Sequence, residues 1–152
     1  MSGVAVSRLS AALSSNWAGY PATHAIDGSY ATLSVSNQGV GNWLSVEIPT
    51  GTQVHQVRVY NRQDGMAASY LGSFEIYVSN SVGDVGSDAT LCGSATYNYA
   101  TDPLYVVSCG GETGSYVTMK QTGAAPTYLA IGELEVFAPP DPPSPPSPQP
   151  SP

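Results

Sequence analysis

The strongest constraint on the fold is an every-second-residue alternation that recurs along the chain. In residues 43–48, Leu44, Val46 and Ile48 fall on one face, with Trp43, Ser45 and Glu47 on the other. That is the period of a strand with one side in a core. In residues 74–79, Phe74, Ile76 and Val78 share a face. In residues 128–137, Leu134 and Val136 share one face while Glu133, Glu135 and Phe137 share the opposite one. Residues 54–60, 104–109 and 116–119 add further runs rich in Val and Tyr, residues that suit a pleated surface. Clusters such as Pro49-Thr-Gly-Thr and Cys109-Gly-Gly-Glu-Thr-Gly lie between the runs and predict turns. No stretch before residue 139 carries a helical stripe. The expectation is an all-β fold, an antiparallel jelly-roll β-sandwich of about eight strands over residues 1–138.

Residues 139–152 break the pattern. They read PPDPPSPPSPQPSP, nine prolines in fourteen residues. Proline fixes φ and lacks an amide donor, so such a stretch joins neither sheet nor helix. It is expected to form a polyproline II tail or linker roughly 40 Å long. Its Ser-Pro-Pro and Ser-Pro repeats resemble the hydroxyproline-rich glycoproteins of plant and green-algal walls, which implies hydroxylated, sugar-bearing prolines. Without modification it is a semi-rigid spacer. Pro-x-x-Pro recognition by an intracellular aromatic groove fits an extracellular domain less well.

Only 10% of the residues are charged, against roughly 25% in an average soluble protein. Four basic and eleven acidic residues give a net charge of −7, which provides no footprint for nucleic acid or an anionic membrane. No segment reaches the roughly 20 apolar residues of a membrane span. Met1-Ser2-Gly3 runs almost directly into the first strand pattern without a secretory leader. The chain is therefore expected to be a processed form or a piece of something longer, and secretion is inferred from other features.

One of these is the pair Cys92 and Cys109, which brackets a loop rich in Tyr, Asn, Thr and Asp. A disulfide closing it would contribute about 3 kcal/mol in the chain-entropy model. Two buried thiols in a cytosolic protein are the alternative. Neither cysteine sits in a Cys-x-x-Cys pair or near a histidine, so zinc or redox chemistry has little support. Of the two histidines, His55 opens a strand pattern and reads as structural. No Gly-x-Ser-x-Gly elbow, phosphate-binding glycine loop or His-Glu-x-x-His is present. The chain is expected not to be an enzyme.

Three separated strings carry the remaining information: residues 22–28 with Asp27 and Gly28, residues 60–64 with Arg62 and Asp64, and residues 130–137 with Gly132 and Glu133. If one sheet domain joins its ends, Asp27 and Glu133 offer two carboxylates to one hard cation. Together with Ser14-Ser15, residues 43–48, residues 57–64, residues 72–79, Cys92, Cys109 and residues 114–117, these strings are similar to the fucolectins. Those proteins belong to the wider galactose-binding-like group that includes the discoidin and coagulation-factor C domains. The similarity runs in order over roughly residues 3–138.

The resemblance implies a calcium ion close to the joined termini. Asp27 and Glu133 would bind it by side chain, and His24, Ser29 and Gly132 by carbonyl. Ser34 or Ser36 would supply a further oxygen. Calcium takes six to eight oxygen ligands in irregular geometry, which suits this set. Without a metal, Asp27-Gly28 is an ordinary turn and Glu133 a surface carboxylate.

The sugar site of fucolectins, one histidine and two arginines beside adjacent cysteines, carries over in part. Arg62 matches the first arginine. Ser69-Tyr70 stand where the second is expected, Asn37-Gln38 where the histidine is expected, and Gly65-Met66 replace the cysteines. Fucose recognition is therefore not expected. Arg62, Asp64, Asn37 and Tyr70 form a different candidate rim, unless Arg62 only pairs with Asp64.

Two functions follow. One is a calcium-stabilised, lectin-like module of a secreted cell-wall or matrix glycoprotein, with glycans or such glycoproteins as partners. The other is a structural subunit of an extracellular fibre or matrix that self-associates through the sandwich and the proline-rich tail.

Overall fold

The computed structural model describes residues 3–100 and 103–140. Eight strands form one antiparallel sheet folded on itself: β1 (Val4–Ala5), β2 (Ser10–Leu13), β3 (Ser34–Val35), β4 (Trp43–Asn61), β5 (Ser73–Ser79), β6 (Thr90–Thr96), β7 (Leu104–Gln121) and β8 (Ala130–Ala138). The order is β1-β8-β4-β7-β5-β6, with β2 on β4 and β3 on β8. Two 3-10 turns, Ala22–Ile26 and Gly65–Leu71, complete the ordered elements. This is the expected jelly-roll architecture. The polyproline II expectation for residues 139–152 falls almost wholly outside the described residues.

The alternating faces pack as predicted. Leu44, Val46, Ile48, Phe74, Ile76, Val78, Leu134 and Val136 are buried and join Val57, Val59, Val117 and Met119 in one core. The turns expected at 49–52 and 109–114 are corrected, because each lies inside a long strand. β4 and β7 pair along most of their length, but their register shifts between Glu47 and Thr52 and again between Val54 and Gln56. Extra residues at such bulges bend a strand without ending it and leave room for a proline outside the ladder. The two bent strands therefore run from one layer of the sandwich into the other. The N-terminal half of β4 pairs with β2, and its C-terminal half pairs with β8.

Cys92 on β6 and Cys109 on β7 are joined by a disulfide with Cα atoms 4.5 Å apart, as one reading of the sequence expected. β1 pairs with the end of β8, Val4 opposite Ala138, so the two ends of the sandwich sequence are adjacent. At the other end of β8, β3 and residue 128 lie together, and the loops of that pole carry the candidate site.

Candidate functional site

The loop from Ala22 to Val35 divides the site in two. Its inner side faces β8, and there the register with β4 slips. Tyr60 is opposite Glu133 and Asn61 opposite Ile131, which leaves Gly132 without a partner across the ladder. A bulge of this kind re-aims the neighbouring side chain. A Cβ on Gly132 would come within 3.4 Å of the Tyr30 carbonyl and 3.5 Å of the Tyr60 carbonyl, so glycine suits the close approach.

Glu133 is fully buried. Its Oε2 accepts from the Arg8 guanidinium and, at 3.0 Å, from the amide of Gly28. Gly28 holds φ at 78°, a left-handed turn that a glycine adopts without steric cost. Arg8 also donates to the carbonyls of Leu134 at 2.8 Å and Ala25 at 3.3 Å. One guanidinium thus links the segment after β1, the first 3-10 turn and β8. The second carboxylate oxygen, Oε1, is buried with no hydrogen-bond partner among the described residues. Burial pushes the Glu133 carboxyl above its ordinary value, against the opposing pull of Arg8 and the Gly28 amide, and the nearby Asp27 charge adds to the rise. The reading of Glu133 as a surface carboxylate is therefore corrected.

Asp27 is exposed on the same loop. Burial is the largest single influence and raises its carboxyl, but the Thr32 hydroxyl, the Ser29 amide and His24 together with Glu133 outweigh it and hold the group below its ordinary value. Ser34 is buried, with its hydroxyl on the carbonyls of Pro21 at 2.8 Å and Ala22 at 2.9 Å. Ser36 accepts from the Leu129 amide and donates to the Asn37 carbonyl. His24 sets its Nδ1 3.0 Å from the Leu33 carbonyl. The fold thus brings Asp27 and Glu133 together. No group of three or more His, Cys, Asp or Glu side chains that could hold a metal occurs among the described residues, so a cation here would draw on carbonyls as well.

The outer side of the same loop forms an aromatic cup. Trp17, Tyr20, Leu33, Val35, Arg62 and Tyr70, with Tyr128, line a cavity of about 220 Å³. Trp17, Tyr20 and Tyr70 are 46%, 40% and 40% exposed, so all three rings reach solvent. Trp17 stands edge-on to Tyr128 at 5.5 Å between centroids, and Tyr70 is tilted against Tyr128 at 5.6 Å. Arg62 donates through Nε to Asp64 Oδ1 at 2.6 Å and through Nη2 to Asp64 Oδ2. That pairing raises the Arg62 guanidinium and lowers the Asp64 carboxyl. Asp64 lines a neighbouring depression that shares Arg62 and Leu33 with the cup. Asn37 is exposed, its amide donating to Ser15 Oγ, and it lines neither depression. Arg62 and Tyr70 are thus together. Trp17, Tyr20 and Tyr128 join them although the sequence reading did not select them.

Residues 24–119 match the family model described as a NedA-like, galactose-binding domain. The chain belongs to that family. Solved structures agree on the fold. A fucolectin from striped bass (Morone saxatilis) serum superposes with a TM-score of 0.74 at 24% identity, covering 85% of this chain and 45% of that one. The family 32 carbohydrate-binding module of Clostridium perfringens NanJ, in complex with galactose, gives 0.73 at 19% identity, with coverage of 88% and 97%. A fucose-binding module of Streptococcus pneumoniae gives 0.73 at 16%, with coverage of 90% and 96%. No curated protein matches this chain in sequence. The galactose-binding-like domain therefore presents its two candidate features on either side of one loop.

Proposed function

We propose that this galactose-binding-like domain is a non-catalytic, calcium-stabilised carbohydrate-binding module that works outside the cell in a wall or matrix glycoprotein. The observation that carries the reading is the open aromatic cup around Arg62. Exposed rings offer apolar faces to the C–H face of a sugar, and a few fixed polar groups orient it. Arg62 supplies those donors from the edge not engaged by Asp64, with the Tyr70 and Tyr20 hydroxyls near it. Because Asp64 neutralises Arg62 and the chain carries a net charge of −7, a neutral sugar suits the cup better than an acidic one. The galactose and fucose named in the related structures fit that class. The Cys92–Cys109 disulfide supports an oxidising, extracellular setting.

The residues of the inner side fit a calcium ion. The free, buried Oε1 of Glu133 lies near the second carboxylate, Asp27, and the unpaired bulge residue Gly132 adds a carbonyl. Asp27 and Glu133 would hold the ion by side chain; His24, Ser29 and Gly132 would do so by carbonyl. Ser34 is favoured over Ser36 because its register partner, Ile131, is next to Gly132. Calcium would neutralise charge that Arg8 leaves unpaired and fix the loop that forms the cup wall.

A glycan array with the full chain, in calcium and in chelator, tests both halves. Binding to a defined neutral sugar that Trp17→Ala removes supports the cup. A blank array removes the sugar reading, and a melting temperature unmoved by chelator removes calcium.

A further inference from the structure

The cup also has the shape and chemistry to take a proline-rich chain. Its rings do not form a flat table. Trp17 packs edge-on against Tyr128 at 84°, and Tyr70 tilts at 38° to the same ring, so the three rings make one ridged aromatic surface. Aromatic-lined grooves take polyproline II helices, which need little ordering before they bind. Beyond Tyr70 the surface continues into a groove of about 480 Å³ that includes Leu71, Gly72, Gly123 and Pro126. Cup and groove share Tyr70 and so adjoin as one trough.

The donors match as well. The Trp17 indole and the Arg62 guanidinium only donate hydrogen bonds. A run of prolines presents carbonyl acceptors and no amide donors.

The topology points to the source of such a chain. β8 starts two residues after Tyr128 of the cup and ends at Ala138, where residues 139–152 begin. A nine-residue strand is about 30 Å long, so the proline-rich stretch leaves from the pole opposite the cup. We propose that the trough receives residues 139–152 of a second copy, joining copies head to tail and competing with sugar for the cup. A head-to-tail contact that does not close on itself extends into an open chain. The proposal rests on the trough and the stretch, not on the sugar reading.

The test titrates dilute full-length chain into a fluorescently labelled synthetic peptide of residues 139–152 and follows fluorescence anisotropy. Saturable binding is expected, weakened tenfold or more by Trp17→Ala or Tyr70→Ser and by replacing the peptide prolines with alanine. Circular dichroism checks that both variants are folded. In sedimentation velocity the full chain should associate as concentration rises, and Trp17→Ala should not. A peptide without saturable binding, or alanine peptides that bind equally well, overturns the proposal. A sugar hit on the array beside a silent peptide leaves the sugar reading intact, and a binding peptide beside a blank array does the reverse.

Discussion

The inner and outer sides of the loop from Ala22 to Val35 are built on opposite physical terms. On the inner side Arg8, Glu133 and the Gly28 amide meet in a buried, charged cluster that draws on three distant segments. On the outer side Trp17, Tyr20 and Tyr70 stand open to solvent around one ion pair. The first arrangement is costly to disturb, because a buried charge without its partner is poorly tolerated. The second contributes little to the fold and leaves apolar surface for a ligand to cover. The two are coupled, since Leu33 and Val35 of the cup wall lie on the loop that the inner cluster holds.

The most disruptive way to break that pairing of terms is Arg8→Met, which leaves the Glu133 carboxylate buried without its cation. It is expected to cost about 3 kcal/mol, roughly a 10 °C lower melting temperature. Adding Glu133→Gln should recover part of the loss, because no uncompensated charge then remains. Denaturant unfolding of the single and double variants measures both. A single variant as stable as the parent would show that the cluster does not hold the fold.

Replacing Cys92 and Cys109 by alanine has a similar size but a different reach. The bridge closes a sequence separation of 17 residues, and its loss should cost about 3 kcal/mol. It lies on β6 and β7, away from both faces of the loop, so ligand affinity at a temperature where the variant is folded should be unchanged. A loss of affinity would mean that the cup depends on the whole sandwich and not on the loop alone.

Calcium should act on the inner side only. At a hundredfold excess over its dissociation constant it adds about 2.7 kcal/mol. Glu133→Gln should abolish that gain, whereas Trp17→Ala should leave it whole. Trp17→Ala itself is expected to shift stability by less than about 1 kcal/mol, as is usual for exposed positions, while weakening ligand binding at least tenfold. Calorimetry on the same samples separates the two effects.

These differences also explain what the sequence revealed. The strand faces of residues 43–48 and 74–79 were legible because a period of two allows a single burial pattern. The breaks read at Pro49 and at Gly110-Gly111 were not breaks, since a glycine or proline cluster marks a turn and a bulge alike. β2 and β6, rich in Ser, Ala, Thr and Gly, carry no strong alternation to detect. Asp27 and Glu133 were legible as two carboxylates that a sheet domain joining its ends could bring together, and the likeness to fucolectins added the carbonyl ligands around them. Arg8 was not, because it is 125 residues from Glu133 and nothing local marks its partner. In the cup, Arg62 and Tyr70 were found by position. Trp17 and Tyr20 had a usable signal in Trp17-Ala-Gly-Tyr20-Pro21: large aromatic residues in a glycine and proline loop have no strand face to bury. Tyr128 had none, because it reads as the start of the last strand.

The smallest expected effect concerns the ion pair at the rim of the cup. Arg62 holds the Asp64 carboxyl below its ordinary value of 3.8. A carboxylate lowered in the fold stabilises at pH values above its unfolded pKa, and that contribution is lost as the pH falls through the folded one. The Asp64 side chain is 63% exposed, so solvent screening limits the pair to about 0.5 kcal/mol or less. Asp64→Asn should therefore melt within about 2 °C of the parent at pH 7, and the two should converge as the pH drops below 3.8. The same change should be plainer in binding. With Asp64 neutral, the Arg62 charge is no longer balanced at the rim, and the preference between neutral and acidic sugars should move toward acidic ones. An Asn variant with unchanged preference would mean that Arg62 acts on the ligand only as a shaped set of donors, and that its charge plays no part in the choice of sugar.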